Sequence, residues 1–235
     1  MSMSHFETDC QLDPFAGTEG RLNPAEDDAH PVGGRLKRLF DIVFSCVAIV
    51  TFSLLMVSIC AVLKLVSGGP IFFVHRRVGA DGRMFPCLKF RTMVPDADER
   101  LQHILANDPK AAAEYAGSRK LRNDPRIIPV VGGFLRKTSL DELPQFFNVL
   151  VGHMSIVGPR PVTRDEWVEH YGMQHSYAAT RPGITGLWQT SGRNDVTFAE
   201  RVQMDTTYVE NWSLALDLRI ILRTVSIVCV HRNGH

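Results

Sequence analysis

Two adjacent carboxylates stand out as candidates for chemistry, because basic residues lie on both sides of them. Asp141 and Glu142 follow a basic pair, Arg136 and Lys137. Arg160 comes shortly afterwards, between two prolines. Cationic side chains bind anions through charge-assisted hydrogen bonds. The residue types around the two carboxylates therefore indicate chemistry on an anion.

The spacing from Leu140 to Leu150 predicts a helix with one apolar and one polar face. The apolar face would carry Leu140, Leu143, Phe147 and Leu150, and the polar face Asp141, Gln145 and Asn148. The acids would therefore point away from the apolar face. The run from Ser139 to Glu142 also fits a capping box, in which Glu142 would only satisfy backbone groups. Because Pro144 removes a hydrogen bond from a helix interior, the helix either starts after Ser139 or bends.

The length of 235 residues suits one domain of ordinary size with attached segments. A net charge of +1 gives no general affinity for nucleic acid. The five cysteines have neither zinc-site nor redox-motif spacing, so we expect free thiols in a reducing compartment. Residues 1–34 are rich in Asp, Glu, Pro and Gly and lack the pattern of a secretory signal, which predicts a disordered tail.

An uncharged run from Ile42 to Leu63 is long enough for a membrane helix, at roughly 22 residues or about 33 Å. Basic residues flank it on both sides, which would keep both flanks in the cytoplasm. A re-entrant helix meets this requirement if hydroxyl groups such as those of Thr51 and Ser53 satisfy freed backbone groups. We therefore predict a membrane-inserted, re-entrant helix over residues 35–66. A buried helix of a soluble protein is the alternative.

The rest of the chain, residues 67–235, predicts a domain with both strands and helices. Ile71–Val74 and Met84–Phe90 have the pattern of a β-hairpin that ends in Lys89 and Arg91. These two cations would either bind phosphate or keep a solvent-exposed strand edge from aggregating. The composition of residues 96–116 predicts helix, divided near Pro109. Near the C-terminus, a 4-3-4-3 apolar spacing predicts an amphipathic helix on the core or on a bilayer: Leu214, Leu218, Ile221, Val225 and Val228.

Two further segments could bind a nucleotide or a metal ion. The glycine-rich run from Arg181 to Asn194 offers tight backbone approach, with Arg181 and Arg193 as fixed charges for a nucleotide diphosphate. It would otherwise be an ordinary connector. Asp96 and Asp98 form a D-x-D triplet that either holds a divalent cation or begins a helix, where acidic residues are favoured.

Several ordered motifs make the chain, from about Lys37 to the C-terminus, resemble the bacterial sugar transferases, which are monotopic polyprenyl-phosphate phosphoglycosyl transferases. It is most similar to the undecaprenyl-phosphate galactose phosphotransferases of exopolysaccharide synthesis. The motifs are Lys37–Asp41, Lys89–Met93, Arg136 with Ser139–Gln145, Met154–Pro161, and Arg181–Gly186 with Gly192–Asn194. Where the family usually has Ser-Pro in its membrane helix, this chain has Ser53-Leu54.

The resemblance implies an α/β fold: an N-terminal re-entrant membrane helix, then a compact monotopic catalytic domain with interfacial amphipathic helices. The domain would lie on the cytoplasmic face of the bacterial inner membrane. The implied reaction has two steps. Asp141 attacks the sugar-linked phosphorus of a UDP-sugar, releases UMP and carries a sugar phosphate, which undecaprenyl phosphate then displaces.

The resemblance also implies roles for individual residues. Asp141 would be the nucleophile and a Mg²⁺ ligand, and Glu142 would assist proton transfer from the lipid phosphate. Phosphate or substrate binding is implied for Lys89, Arg136, Arg160, Arg181 and Arg193. Two other functions remain alternatives: a metal-dependent glycosyltransferase that uses Asp96 and Asp98 and releases UDP, and a non-catalytic membrane adaptor. The choice between galactose and glucose, and the formation of a homodimer, stay open.

Overall fold

The computed structural model describes residues 31–118, 121–172, 175–191 and 196–230. The predicted tail therefore lies almost wholly outside the described residues. The described chain opens with a helix of 34 residues, α1 (Gly34–Ser67), which is long and apolar enough to cross a membrane. Only 22% of its most apolar window is buried, whereas the core helix of a soluble protein would be mostly buried. The exposed apolar surface favours contact with lipid.

The described part of the remaining chain mixes strands and helices, as predicted. Its elements are β1 (Phe72–Val78), β2 (Met84–Phe90), α2 (Ala97–Asn107), α3 (Pro109–Ser118), α4 (Val131–Thr138), α5 (Gln145–Val151), β3 (Ser155–Val157), α6 (Arg164–Tyr171), α7 (His175–Ala178), β4 (Gly183–Thr185), α8 (Leu187–Ser191), α9 (Phe198–Glu210) and α10 (Leu214–Val230). β1 and β2 form the expected antiparallel hairpin, and β3 pairs in parallel with β4. The helices predicted around Pro109 and at the C-terminus are confirmed.

One stripe along α1 is buried against the domain and connects it at both ends. Near the N-terminal end, Lys37 Nζ lies 2.6 Å from Asp217 Oδ2 of α10, and both side chains are buried. Asp41 Oδ1 accepts hydrogen bonds from the Ser155 hydroxyl and from the Ile156 backbone N–H. Near the other end, Met56, Ile59 and Leu63 pack in a cluster with residues of β2, α4 and the segments beside them. The domain therefore contacts α1 near both ends, whereas residues 50–55 in the middle are exposed.

The two faces predicted for the central segment do not correspond to a buried and an exposed side. Gln145 and Asn148 are buried, whereas Phe147 is exposed. The physical reason is that the Asn148 amide satisfies the backbone of β2: its Oδ1 accepts from Leu88 N at 2.9 Å, and its Nδ2 donates to Pro86 O at 2.7 Å. The polar side chains of this short helix therefore attach it to the hairpin.

Glycines allow the backbone of β4 to lie directly against the chain that follows β3. Gly158 N donates to Thr185 O at 2.9 Å, and Gly183 N donates to Pro159 O at 2.8 Å. A Cβ atom at Gly183 would overlap the backbone nitrogen of Gly158, and a Cβ at Gly186 would overlap its carbonyl oxygen. A side chain at either position would separate the two segments.

We expect Gly183→Ala to destabilise the protein by about 3 kcal/mol, because the added methyl group overlaps backbone atoms that cannot move aside. Gly133→Ala is the matched control. Nothing lies within 4 Å of a Cβ at Gly133 in α4, so it should stabilise by about 0.5–1 kcal/mol through helix propensity. Thermal unfolding of both variants in one detergent or lipid nanodisc measures the difference. Equal stability of the two variants would contradict the close backbone contact.

Candidate active site

The two carboxylates lie in a short 3-10 turn, Leu140–Glu142, between α4 and α5. Ser139 adopts the left-handed conformation, with φ 56°, and ends α4 through its backbone N–H; its side chain makes no capping hydrogen bond. The capping-box alternative is therefore wrong for Glu142. Pro144 precedes the first residue of α5, a position where its missing N–H costs no helical hydrogen bond. The turn leaves both carboxyl groups available for other partners.

Glu142 forms the main ion pair of the site. Its Oε1 lies 2.6 Å from Lys89 Nζ at the end of β2, and both side chains are about three-quarters buried. Burial alone would raise the pKa of Glu142, but Lys89, then Arg160 and Arg77, outweigh it and hold that pKa below its usual value. Glu142 is therefore ionised at neutral pH.

Asp141 is in the opposite electrostatic situation. Burial, followed by repulsion from the charge of Glu142, raises the pKa of Asp141 from 3.8 to about 6, although Lys89 and Arg136 act against this. The structure gives Asp141 no hydrogen bond or ion pair with another side chain within the described residues. At neutral pH its carboxylate is mostly ionised and uncommitted. These are the properties of an available nucleophile.

A pocket opens beside Glu142 and collects cations and amides. It is lined by Arg77, Cys87, Lys89, Glu142, Gln145, Arg160, Pro161, Gly183, Ile184 and Gln189. Three of these side chains are cationic and one is acidic, so the pocket suits an anion. The structure thus brings Lys89, Glu142 and Arg160 together. Arg136, in the last turn of α4, is close enough to lower the pKa of Asp141.

Arg77 and the two glutamines of the pocket are not among the candidates from the sequence. The sequence did contain a signal for Arg77. In the hairpin, Arg77 pairs with Phe85 and Lys89 with Phe73, so strand alternation places Arg77 and Lys89 on one face. Recognising it required the hairpin register, and the predicted first strand ended at Val74, before Arg77.

Other candidate residues lie away from this pocket or beyond the described residues. Arg181 Nε donates to the carbonyl of Gly152 at 2.9 Å, and burial together with nearby Arg38 lowers its pKa. Its role in phosphate binding stays a prediction. Arg193 lies outside the described residues. Asp96 begins α2 and pairs on the surface with Arg100 at 2.8 Å, which favours the helix-start interpretation of the D-x-D triplet.

The donor set around Asp141 fits Mg²⁺ only as part of a site shared with a substrate. The described residues contain no cluster of three or more His, Cys, Asp or Glu side chains suited to a metal ion. Mg²⁺, however, is commonly bound by one or two carboxylates together with substrate phosphates. The uncommitted carboxylate of Asp141, next to a pocket that suits anions, meets that description.

Comparison with known proteins agrees with the motifs. The model of the family described as bacterial sugar transferases matches residues 32–231. The exopolysaccharide production protein ExoY of Rhizobium meliloti (strain 1021) is 49% identical over 213 residues, 90% of this chain and 94% of that protein.

Two longer relatives carry more specific names. The undecaprenyl-phosphate galactose phosphotransferase of Salmonella typhimurium is 50% identical over 199 residues, 85% of this chain and 41% of that protein. The UDP-glucose:undecaprenyl-phosphate glucose-1-phosphate transferase of Klebsiella pneumoniae is 39% identical over 200 residues, 80% of this chain and 39% of that protein.

We expect Glu142→Gln to lower the pKa of Asp141 from about 6 toward 3.8, because the substitution removes the like charge beside it. Lys89→Met should raise that pKa above the wild-type value. Titration of the side-chain carboxyl carbon by NMR in protein labelled with ¹³C-aspartate measures both shifts. Glu169→Gln, at an exposed glutamate of α6, is the control and should leave Asp141 unchanged. If the pKa of Asp141 stays the same in Glu142→Gln, the electrostatic coupling between the two carboxylates is contradicted.

Proposed function

The chain belongs to the bacterial sugar transferase family, and on that premise we propose that it transfers a hexose 1-phosphate from a UDP-sugar to undecaprenyl phosphate. UMP is the released product, and the step begins the synthesis of an exopolysaccharide or a related lipid-linked glycan. The observation that carries the proposal is the uncommitted Asp141 beside a cationic pocket. The names of the relatives include both galactose and glucose, and we propose that the hexose is one of these two.

In the first step Asp141 acts as the nucleophile. A bond forms between its carboxylate oxygen and the phosphorus attached to the sugar, and the bond from that phosphorus to the bridging oxygen breaks. UMP leaves with the bridging oxygen, and the sugar phosphate stays on Asp141. A pKa of about 6 supports this role, because the carboxylate is mostly ionised at neutral pH yet more basic than an ordinary aspartate.

In the second step a phosphate oxygen of undecaprenyl phosphate attacks the same phosphorus and releases the Asp141 carboxylate. Glu142 stays ionised and so can take a proton from the acceptor phosphate. Lys89 and Arg160 in the pocket, with Arg136 beside Asp141, offset the negative charge of the phosphates. Asp141 and the donor phosphates would hold Mg²⁺, which supplies further positive charge against the diphosphate.

The packing of α1 supports a monotopic arrangement on the cytoplasmic face of the inner membrane. Its buried residues fall into two groups, Lys37–Ala48 and Met56–Leu63, and the stretch between them is only about 12 Å of helix, less than the roughly 30 Å of a hydrocarbon core. A straight crossing would carry the attached domain into the lipid. Exposed apolar residues of α10 add a second surface for the bilayer: Leu218, Leu222, Val225 and Val228. The expected break in the helix is absent, since α1 is continuous from Gly34 to Ser67. We therefore propose that α1 does not cross the bilayer and that both of its ends stay on the cytoplasmic side.

Asp141→Asn should reduce UMP release by about 10³-fold or more, because an amide cannot form the acyl phosphate. Asp98→Asn, at an exposed residue of α2, should keep the wild-type rate. The assay follows UMP and UDP after membranes receive radiolabelled UDP-galactose or UDP-glucose. Mass spectrometry of wild-type protein incubated with donor alone should find a hexose phosphate on the Asp141 peptide. Release of UDP, with a loss in Asp98→Asn, would favour the metal-dependent glycosyltransferase instead.

The Asp141→Asn protein should remain folded, which separates lost chemistry from lost structure. The pKa of Asp141 is about 6 in the folded chain and 3.8 in a model peptide. Its ionisation therefore lowers stability as the pH rises from about 3.8 to about 6. At neutral pH the neutral asparagine should be at least as stable as the wild type in thermal unfolding.

A single cysteine at Ser2 should resist a membrane-impermeant thiol reagent in intact spheroplasts and react after lysis, because a re-entrant helix keeps both flanks in the cytoplasm. The five native cysteines are first replaced by serine or alanine. Gln102→Cys, exposed on α2, is the matched reporter for the domain. Labelling of the Ser2 position alone in intact spheroplasts would show a spanning helix.

A further inference from the structure

Two amide side chains line the pocket, and the proposed mechanism does not use either. Gln145, at the first position of α5, is 2% exposed, and Gln189 belongs to α8. Both line the same pocket. Their amide groups therefore come from different elements to one small volume, beside the cations Arg77, Lys89 and Arg160.

Gln145 is best understood beside Asn148, which is equally buried in the same helix. The amide of Asn148 makes one hydrogen bond with each of its ends to the backbone of β2. Gln145 has no side-chain hydrogen bond within the described residues, although it too is 2% exposed. Asn148 thus attaches α5 to β2. The amide of Gln145 makes no such bond and is available to a ligand in the pocket that it lines.

The amide of Gln189 indicates which kind of group a ligand must place beside it. Its Nε2 donates to the carbonyl of Ile184 at 3.4 Å, which fixes the orientation of the amide. Its Oε1 is buried and has no hydrogen-bond partner. Gly186 makes room for this oxygen, since a Cβ there would lie 3.1 Å from it. The group that completes the pocket at this point must be a hydrogen-bond donor.

A fully ionised diphosphate cannot be that donor, because its oxygens only accept hydrogen bonds. The phosphates suit the three cations, whereas the amide oxygen of Gln189 requires an O–H or N–H group. In a nucleotide sugar, hydroxyl groups occur on the hexose and on the ribose. The pocket therefore contains one set of side chains for phosphate and another for hydroxyl groups.

We propose that Gln189 and Gln145 bind hydroxyl groups of the UDP-sugar donor, with Gln189 Oε1 accepting a hydrogen bond from one of them. This inference rests on the proposed function for the identity of the donor. It assigns the recognition of the neutral part of that molecule to two residues outside the carboxylate pair. Such residues determine which donor is held in place for attack.

The test compares Gln189→Met and Gln145→Met with the matched control Gln203→Met, at an exposed glutamine of α9. Methionine keeps the size and flexibility of glutamine and removes its hydrogen bonds. In full-length protein in lipid nanodiscs, each pocket variant should lower kcat/KM for the donor by about 3- to 10-fold, mainly through KM, as expected for one hydrogen bond. Gln203→Met should match the wild type. Thermal unfolding verifies that each variant is folded. If Gln145→Met does not fold because Gln145 is buried, Gln189→Met alone provides the test.

Calorimetric binding identifies the hydroxyl group and separates this inference from the proposed reaction. The measurement uses an Asp141→Asn background, so that the donor is not consumed, with UDP-galactose, UDP-glucose and UMP as ligands. Weaker binding of the UDP-sugars alone supports a hexose hydroxyl. Weaker binding of all three places the donor group on the uridine, and N3-methyl-UMP then separates the ribose hydroxyls, which support the proposal, from the uracil N3–H, which overturns it.

If the wild type releases no UMP but Gln189→Met still weakens donor binding, the reaction is wrong and the amide site stands. If the wild type releases UMP and both pocket variants keep its KM and its donor affinity, the amide site is overturned.

Discussion

The ion pair between Lys89 and Glu142 links the two parts of the protein that make up the site. Lys89 ends the hairpin, and Glu142 ends the turn between α4 and α5, 53 positions later in the chain. No local capping interaction holds the side chain of Glu142. Its position therefore depends on a contact between distant segments, which only the folded chain provides. Because both side chains are about three-quarters buried, solvent screens this pair less than an ion pair on the surface.

The same ion pair makes two adjacent carboxylates different in character. Lys89 lies directly against Glu142 and keeps it ionised, whereas burial and then the charge of Glu142 raise the pKa of Asp141. Environments that separate the pKa values of neighbouring acids also separate their chemical roles. Asp141 has the higher pKa and no competing side-chain partner, which suits nucleophilic attack. Glu142 has the cations around it, which suits a group that stays charged while phosphates bind.

The sequence predicted the features that have local signals. It did not predict those that depend on contacts between segments distant in the chain. The hairpin, the division at Pro109 and the acidic pair all follow from turn residues, periodicity and motif. The inward direction of Asn148 does not, because it results from bonds to β2 that helix periodicity alone cannot reveal. Similarly, Ser139–Glu142 fits a capping box, but a residue far along the chain binds the glutamate. Capping boxes do form between Thr163 and Glu166 and between Thr197 and Glu200. At these two helix starts the glutamate keeps its capping hydrogen bonds.

The polar residues of α1 explain how this apolar helix can determine the position of the turn that carries Asp141 and Glu142. Lys37 pairs with buried Asp217, which selects the face of α1 that meets the domain, since a buried charge without its partner is strongly unfavourable. One residue later, the guanidinium of Arg38 donates to the carbonyls of Val149 and Leu150 near the end of α5.

α5 begins just after the turn that carries Asp141 and Glu142. α1 is thus bonded to one end of a seven-residue helix, and the carboxylates lie just before the other end. Over so short a helix the distance between the two ends can hardly change. If the proposed function holds, the depth of α1 in the bilayer would therefore set the height of the carboxylates above it, and this height would have to suit an acceptor whose phosphate lies at the membrane surface.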